Sequence, residues 1–120
     1  MKNVLVVDDS KTVRSYHKEI LSSAGYRVEE AENGMEAVEK SIDVDFALFL
    51  VDVNMPIMDG YSCVEELRKS DKNRLTPVIM ISTEAEDMDK NRAYEAGSNI
   101  YYIKPVKPDI LISSAKILTI

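Results

Sequence analysis

Phe46-Ala47-Leu48-Phe49-Leu50-Val51-Asp52 is an unbroken apolar run closed by a carboxylate. A strand with one wet face alternates apolar and polar residues. This run does not alternate, so both of its faces are buried, which is the pattern of a parallel sheet covered by helices. Two further runs read the same way: Val4 to Val7 ends at Asp8-Asp9, and Val78 to Ile81 follows Pro77. Ile100 to Ile103 reads as a fifth strand and precedes Lys104. Arg27 to Ala31 is more polar and reads as an edge strand.

The stretches between these runs carry helical spacing. Val13, Tyr16, Ile20, Leu21 and Ala24 form one stripe, with Gly25 as a stop. Asn33-Gly34 is a turn, and Ala37, Val38 and Ile42 predict a short helix after it. A loop with Pro56 and Gly60 leads to a helix marked by Tyr61, Val64 and Leu67 and capped by Asp59. Asp87 to Ala96 predicts a helix with Met88 and small residues inward, packed loosely and stopped by Gly97. Pro108 opens the last helix, whose apolar stripe reads Ile110, Leu111, Ile117 and Leu118. Five strand–helix units in alternation predict an α/β fold, a doubly wound parallel sheet with helices on both faces.

The chain has 120 residues, enough for one domain over 1–120 with a real core. A net charge of −6 and a pI near 4.8 argue against a nucleic-acid surface and against docking on anionic lipid. Cys63 is the single cysteine, so no internal disulfide forms. Neither a signal peptide nor a membrane-length apolar run is seen, and a reducing, cytoplasmic location is expected.

The informative residues are those just past the apolar runs: Asp8 and Asp9, Asp52, Ser82 and Thr83, and Lys104. Parallel strands place all these ends on one edge, where such sheets bind ligands. Two carboxylates ~5 Å apart repel by roughly 3 kcal/mol at an effective dielectric of 20. Three together require a cation, a proton or a shifted pKa. A hard divalent ion with oxygen ligands fits, and Mg²⁺ is the expected cofactor. Lys104 adds a compact positive charge, and the Ser82 hydroxyl is a donor for a phosphoryl oxygen. A carboxylate is itself a competent nucleophile, so the set suits phosphoryl transfer onto one Asp.

Leu5-Val6-Val7-Asp8-Asp9, Asp52-Val53-Asn54-Met55-Pro56-Ile57-Met58-Asp59-Gly60, Ala96-Gly97-Ser98 and Ile103-Lys104-Pro105 closely resemble the receiver domains of bacterial two-component response regulators. The resemblance runs over essentially the whole chain in the right order. It implies a flavodoxin-like five-stranded sheet in the order 2-1-3-4-5 with five helices. It also implies roles. Asp52 matches the phosphoacceptor, Asp8 and Asp9 the acidic pair at the metal, and Asn54 the residue whose backbone carbonyl completes the metal site. Ser82 matches the hydroxyl that senses the phosphoryl group, Lys104 the family's lysine and Tyr101 its aromatic switch. Asn54 and Glu84 are similar to chemotaxis-type regulators at the two positions that tune dephosphorylation. Val106 and Ser10 depart from that subgroup, which often carries aromatic residues there. The implied partners are a sensor histidine kinase or phosphotransfer protein upstream and an effector protein or effector domain downstream.

Two enzyme-like or cofactor-binding alternatives remain at this point. An aspartate-nucleophile phosphatase needs an acid two residues past its nucleophile, where this chain has Asn54. A flavodoxin-like flavin binder needs a Ser/Thr/Gly-rich phosphate loop, where this chain has Asp8-Asp9-Ser10-Lys11. The expected module is a switch that catalyses only its own phosphorylation and dephosphorylation. Cys63 reads as a small core filler, and His17 as a partly exposed helix residue without function.

Overall fold

A computed structural model describes all 120 residues. The elements are β1 (Asn3–Val7), α1 (Lys11–Ser23), β2 (Arg27–Ala31), α2 (Gly34–Asp43), β3 (Phe46–Asp52), α3 (Gly60–Lys69), β4 (Val78–Ser82), α4 (Asp87–Ala96), β5 (Ile100–Ile103) and α5 (Pro108–Leu118). All strand pairs are parallel, and the sheet order is β2-β1-β3-β4-β5, as the resemblance implied.

Successive residues of each inner strand feed opposite cores. Leu5, Val7, Phe49, Val51, Val78 and Met80 join one cluster, which is completed by Ala37 of α2, Val64 and Leu67 of α3, and Ala93 of α4. Val4, Val6, Leu48, Leu50, Ile79 and Ile81 join the other, together with Ile20 and Leu21 of α1 and Leu111 and Ala115 of α5. Both faces of the apolar runs are therefore covered, which is why those runs show no alternation. Side chains start three of the helices. Ser10 accepts from the Val13 amide, Asn33 from Glu36 and Asp59 from Ser62. Gly97, at φ 116°, closes α4 in the left-handed region.

Several helix faces differ from expectation. The buried face of α1 carries Arg14, His17, Ile20 and Leu21, whereas Tyr16 is exposed. His17 is buried rather than partly exposed. Met88 is exposed rather than inward, and the inner face of α4 is only Ala93 and Ala96, two small side chains that bury little apolar area. Ile42 on α2 and Ile110 and Ile117 on α5 also face outward, while Ser41 and Ser114 turn inward and hydrogen-bond locally or across to Tyr102.

The loop from β3 to α3 is held under tension. The Gly60 amide donates to the Val53 carbonyl at 2.8 Å, and a Cβ on Gly60 would stand 2.3 Å from the Asp52 carbonyl oxygen. Nearby, the Met58 amide reaches the Pro56 carbonyl at 2.7 Å, which makes Ile57 the centre of a γ-turn with φ 69°. A β-branched residue is disfavoured there, and the exposed Ile57 side chain gains no burial in return. Two substitutions in this loop should therefore move stability in opposite directions. Ile57→Asn is expected to raise it by about 1 kcal/mol, and Gly60→Ala to lower it by about 1–3 kcal/mol. Urea unfolding midpoints check both, and a lower midpoint for Ile57→Asn would refute the strain.

Candidate functional site

Strand register builds the site. Val7 pairs with Val51, so Asp8 and Asp52 stand side by side just past that pair. Asp52 pairs with Ile81, and Ser82 with Ile103, so Ser82 and then Lys104 follow one step further along the same edge. The position between β1 and β3 is where the chain reverses its direction of travel across the sheet, the usual place for a ligand crevice.

The three carboxylates converge as expected. One oxygen each from Asp8, Asp9 and Asp52 lies within 4.8 Å of the other two. Asp8 and Asp52 are buried and Asp9 is exposed. The Lys104 ammonium donates to Asp52 Oδ1 at 2.9 Å and to Asp8 Oδ2 at 3.2 Å. One positive charge thus faces three negative ones. This donor set of hard oxygens around an uncompensated charge fits a divalent cation such as Mg²⁺.

Asp8 is fixed at both ends of the residue. Its amide donates to the Ala31 carbonyl, its Oδ1 accepts from the Ser10 amide, and its carbonyl accepts from Arg14 Nη1 at 2.7 Å. Arg14 gives no apolar signal in the sequence, yet its spacing with His17 and Leu21 puts it on the inner face of α1. His17 occupies the same face and helps line a cleft of about 250 Å³ with Val13, Tyr16, Lys104, Pro105 and Val106. Burial lowers its pKa, opposed by Asp8 and assisted by Lys104, so the ring is neutral near pH 7.

The switch candidates are also adjacent. Ser82 is fully buried at the end of β4, and its Oγ accepts from the Glu84 amide at 3.0 Å. Tyr101 is buried as well, and its hydroxyl donates to the Glu84 carbonyl at 2.6 Å. Glu84 itself is exposed, and so is Asn54, two residues past Asp52. Tyr102, the neighbour of Tyr101, points to the opposite cluster and bonds Ser114, which separates the two tyrosines by face.

The family of response regulator receiver domains matches residues 4–116. The chain belongs to that family. The chemotaxis protein CheY1 of Helicobacter pylori is 42% identical over 110 residues, covering 90% of this chain and 89% of CheY1. The transcriptional regulatory protein ResD of Bacillus subtilis is 34% identical over 96% of this chain, and the chain spans about half of ResD, 47% of its length. Among solved structures, the receiver domain of the sensor histidine kinase PA1611 from Pseudomonas aeruginosa superposes with a TM-score of 0.91 at 29% identity, covering 98% of this chain and 97% of that one. That structure holds a magnesium ion coordinated in its active-site cleft. Receiver domains are phosphorylation-activated signalling switches of two-component systems rather than metabolic enzymes, and residues 4–116 are such a domain. The phosphatase and flavin alternatives are left without support. No helix is long and apolar enough to cross a membrane.

The crowding in this receiver has a measurable consequence. Burial, then the charges of Asp8 and Asp9, push the Asp52 carboxyl up to about 6, against the pull of Lys104. Burial alone would lower the Lys104 ammonium, but the hydrogen bonds and charges of Asp52 and Asp8 outweigh it and raise it. With chelator present, the folded chain holds the Asp52 proton more tightly than the unfolded chain. Asp52 therefore contributes stability below pH ~4 that is lost as pH rises through about 6. Asp52→Asn cannot titrate. Its stability relative to wild type should climb by about 2 kcal/mol between pH 4 and 7, read from urea melts in EDTA. A difference that stays flat across that range would mean that Asp52 is an ordinary carboxylate.

Proposed function

We propose that residues 1–120 act as one receiver unit in which Asp52 accepts a phosphoryl group in a Mg²⁺-dependent reaction. The donor would be a sensor histidine kinase, a phosphotransfer protein or a small acyl phosphate. The observation that carries this reading is the placement of Asp52: buried at the end of β3, 2.9 Å from the Lys104 ammonium and within 4.8 Å of Asp8 and Asp9.

Asp8, Asp9, Asp52 and the backbone carbonyl of Asn54 would hold the metal. Bound there, Mg²⁺ supplies positive charge for the phosphoryl oxygens and relieves the carboxylate repulsion. The chain's own residues do the rest. An ionised Asp52 oxygen attacks phosphorus, a new O–P bond forms, and the donor's P–N or P–O bond breaks with its electrons leaving on the donor. Lys104, already donating to Asp52, takes over a phosphoryl oxygen as charge moves outward. Ser82 Oγ accepts a hydrogen bond from the Glu84 amide, and its own O–H would turn to donate to the phosphoryl group. Asn54 and Glu84, both exposed beside the site, would set how readily water removes the group.

Output would pass through Ser82 to the loop Thr83 to Glu86, and from there to Tyr101 and the face made by α4, β5 and α5. The Tyr101 hydroxyl is tied to the same residue, Glu84, whose amide Ser82 holds. The face would be read by an effector protein or an attached effector domain. The location would be the cytoplasm, where kinase and phosphodonor are found.

Acetyl phosphate with Mg²⁺ should add a single phosphoryl group to the wild-type chain and none to Asp52→Asn. Intact mass spectrometry decides the matter, and undiminished labelling of the variant would sink the assignment. Metal should also stabilise the fold before any phosphorylation, since a ligand that binds only the native state raises stability by mass action. Millimolar Mg²⁺ should raise the melting temperature of wild type, and the rise should shrink strongly in Asp9→Ala. A full response in Asp9→Ala would show that the metal sits elsewhere.

A further inference from the structure

The acidic turn after β1 has a buried cation behind it that takes no part in the chemistry proposed above. Arg14 lies on the inner face of α1 with only 7% of its surface exposed. Its Nη1 donates to the Asp8 carbonyl oxygen at 2.7 Å, and its Nε pairs with Glu30 on the edge strand β2 at 3.2 Å. One planar group thus joins the first turn of α1, the backbone of the acidic pair and the outer strand.

Glu30 is in turn anchored twice. Its carboxylate also meets Lys18 at 3.5 Å, and its backbone carbonyl accepts from Lys40 of α2. The Arg14 guanidinium is therefore held from the far side before it reaches Asp8. Its contact is with the carbonyl of Asp8 and not with the carboxylate, so it fixes where the backbone of residues 8 and 9 runs.

We infer that Arg14 is a positioning residue for the metal site, setting the orientation of Asp8 and Asp9 through the Asp8 carbonyl. This rests on the reading of those two carboxylates as metal ligands. Two effects of the guanidinium oppose each other. Its charge repels a cation, and its hydrogen bond holds the ligands in place. Glu30 at 3.2 Å offsets part of that charge, although it is shared with Lys18 at 3.5 Å. The hydrogen bond acts directly on the Asp8 backbone at 2.7 Å, and we take the positional effect as the larger. Groups that orient metal ligands typically change metal affinity by about 10–100-fold when removed.

The test is a MgCl₂ titration followed by ¹H–¹⁵N chemical shifts of the Asp9 and Asn54 amides, with urea midpoints in EDTA for each protein. Arg14→Met, which fills the space without a donor, should weaken Mg²⁺ binding by roughly tenfold. Arg14→Lys keeps the charge but loses the planar fork that serves two partners at once. It should weaken binding too, by less. It also keeps the inference testable should Arg14→Met fail to fold. Binding is compared at urea-free conditions where each variant is folded, so a purely structural role would lower the midpoints and leave the dissociation constants alone. Tighter or unchanged binding in Arg14→Met, or full affinity in Arg14→Lys, overturns the inference. A wild-type chain that shows no Mg²⁺ shifts overturns the metal reading instead, which keeps the two failures apart.

Discussion

Three carboxylates share one ammonium at the carboxyl edge of the sheet, and that imbalance is the constraint on which the rest of the structure depends. With one oxygen of each carboxylate within 4.8 Å of the other two, each pair repels by about 3 kcal/mol or more at an effective dielectric of 20. No surface loop would hold such a cluster together. Here the carboxylates are carried by the ends of β1 and β3, whose residues are locked by ladder hydrogen bonds and by apolar clusters on both faces. The cores supply the rigidity that keeps unfavourable charges in place.

The same edge also connects the site to the rest of the molecule over short distances. The Lys104 amide donates to the Ser82 carbonyl at 2.8 Å, so the backbone that carries the ammonium is pinned to the strand that carries the hydroxyl. The loop after β3 is the less comfortable neighbour. It packs Gly60 against the Asp52 backbone and holds Ile57 at φ 69°. Both lie where the chain turns away from Asp52, and local strain is commonly found where a site demands a particular shape.

Much of this was legible in the sequence because it follows from the side-chain periods. Runs such as Phe46 to Val51 announce strands buried on both faces, and the polar residues that end them mark one edge once the sheet is parallel. The polarity of Arg27 to Ala31 marks β2 as one edge for the same reason, whereas β5, the other edge, is apolar and carries no such mark. The helix faces were less legible. Apolar periodicity finds a buried face only where the neighbours are apolar. On α1 the neighbours include Asp8 and Glu30, so the inner face takes Arg14 and His17 where the apolar stripe has Val13 and Tyr16, while Ile20 and Leu21 are buried as read. On α4 the inner face is two alanines, which leave Met88 free to point outward. The γ-turn at Ile57 had no signal at all, since an isoleucine gives no hint of a positive φ.

The weak anchoring of α4 bears on how the proposed switch would work. Ser82, Glu84 and Tyr101 form a contiguous chain of hydrogen bonds from the site to the base of that helix. A chain of contacts transmits nothing unless it ends on an element with two arrangements. With only Ala93 and Ala96 buried, α4 has little apolar area to hold it in one place. Drawing in the Ser82 hydroxyl adds one or two charge-assisted hydrogen bonds, at about 1.5–3 kcal/mol each. Moving a two-state equilibrium from 1:99 to 99:1 takes about 5.5 kcal/mol. One such bond falls short of that, and two reach it only at the top of their range. Tyr101 is already buried and bonded to Glu84 without it. The proposed switch is thus a biased equilibrium: the inward arrangement of Tyr101 is accessible beforehand, the phosphoryl group tilts the balance, and a partner bound on the α4–β5–α5 face supplies the remainder.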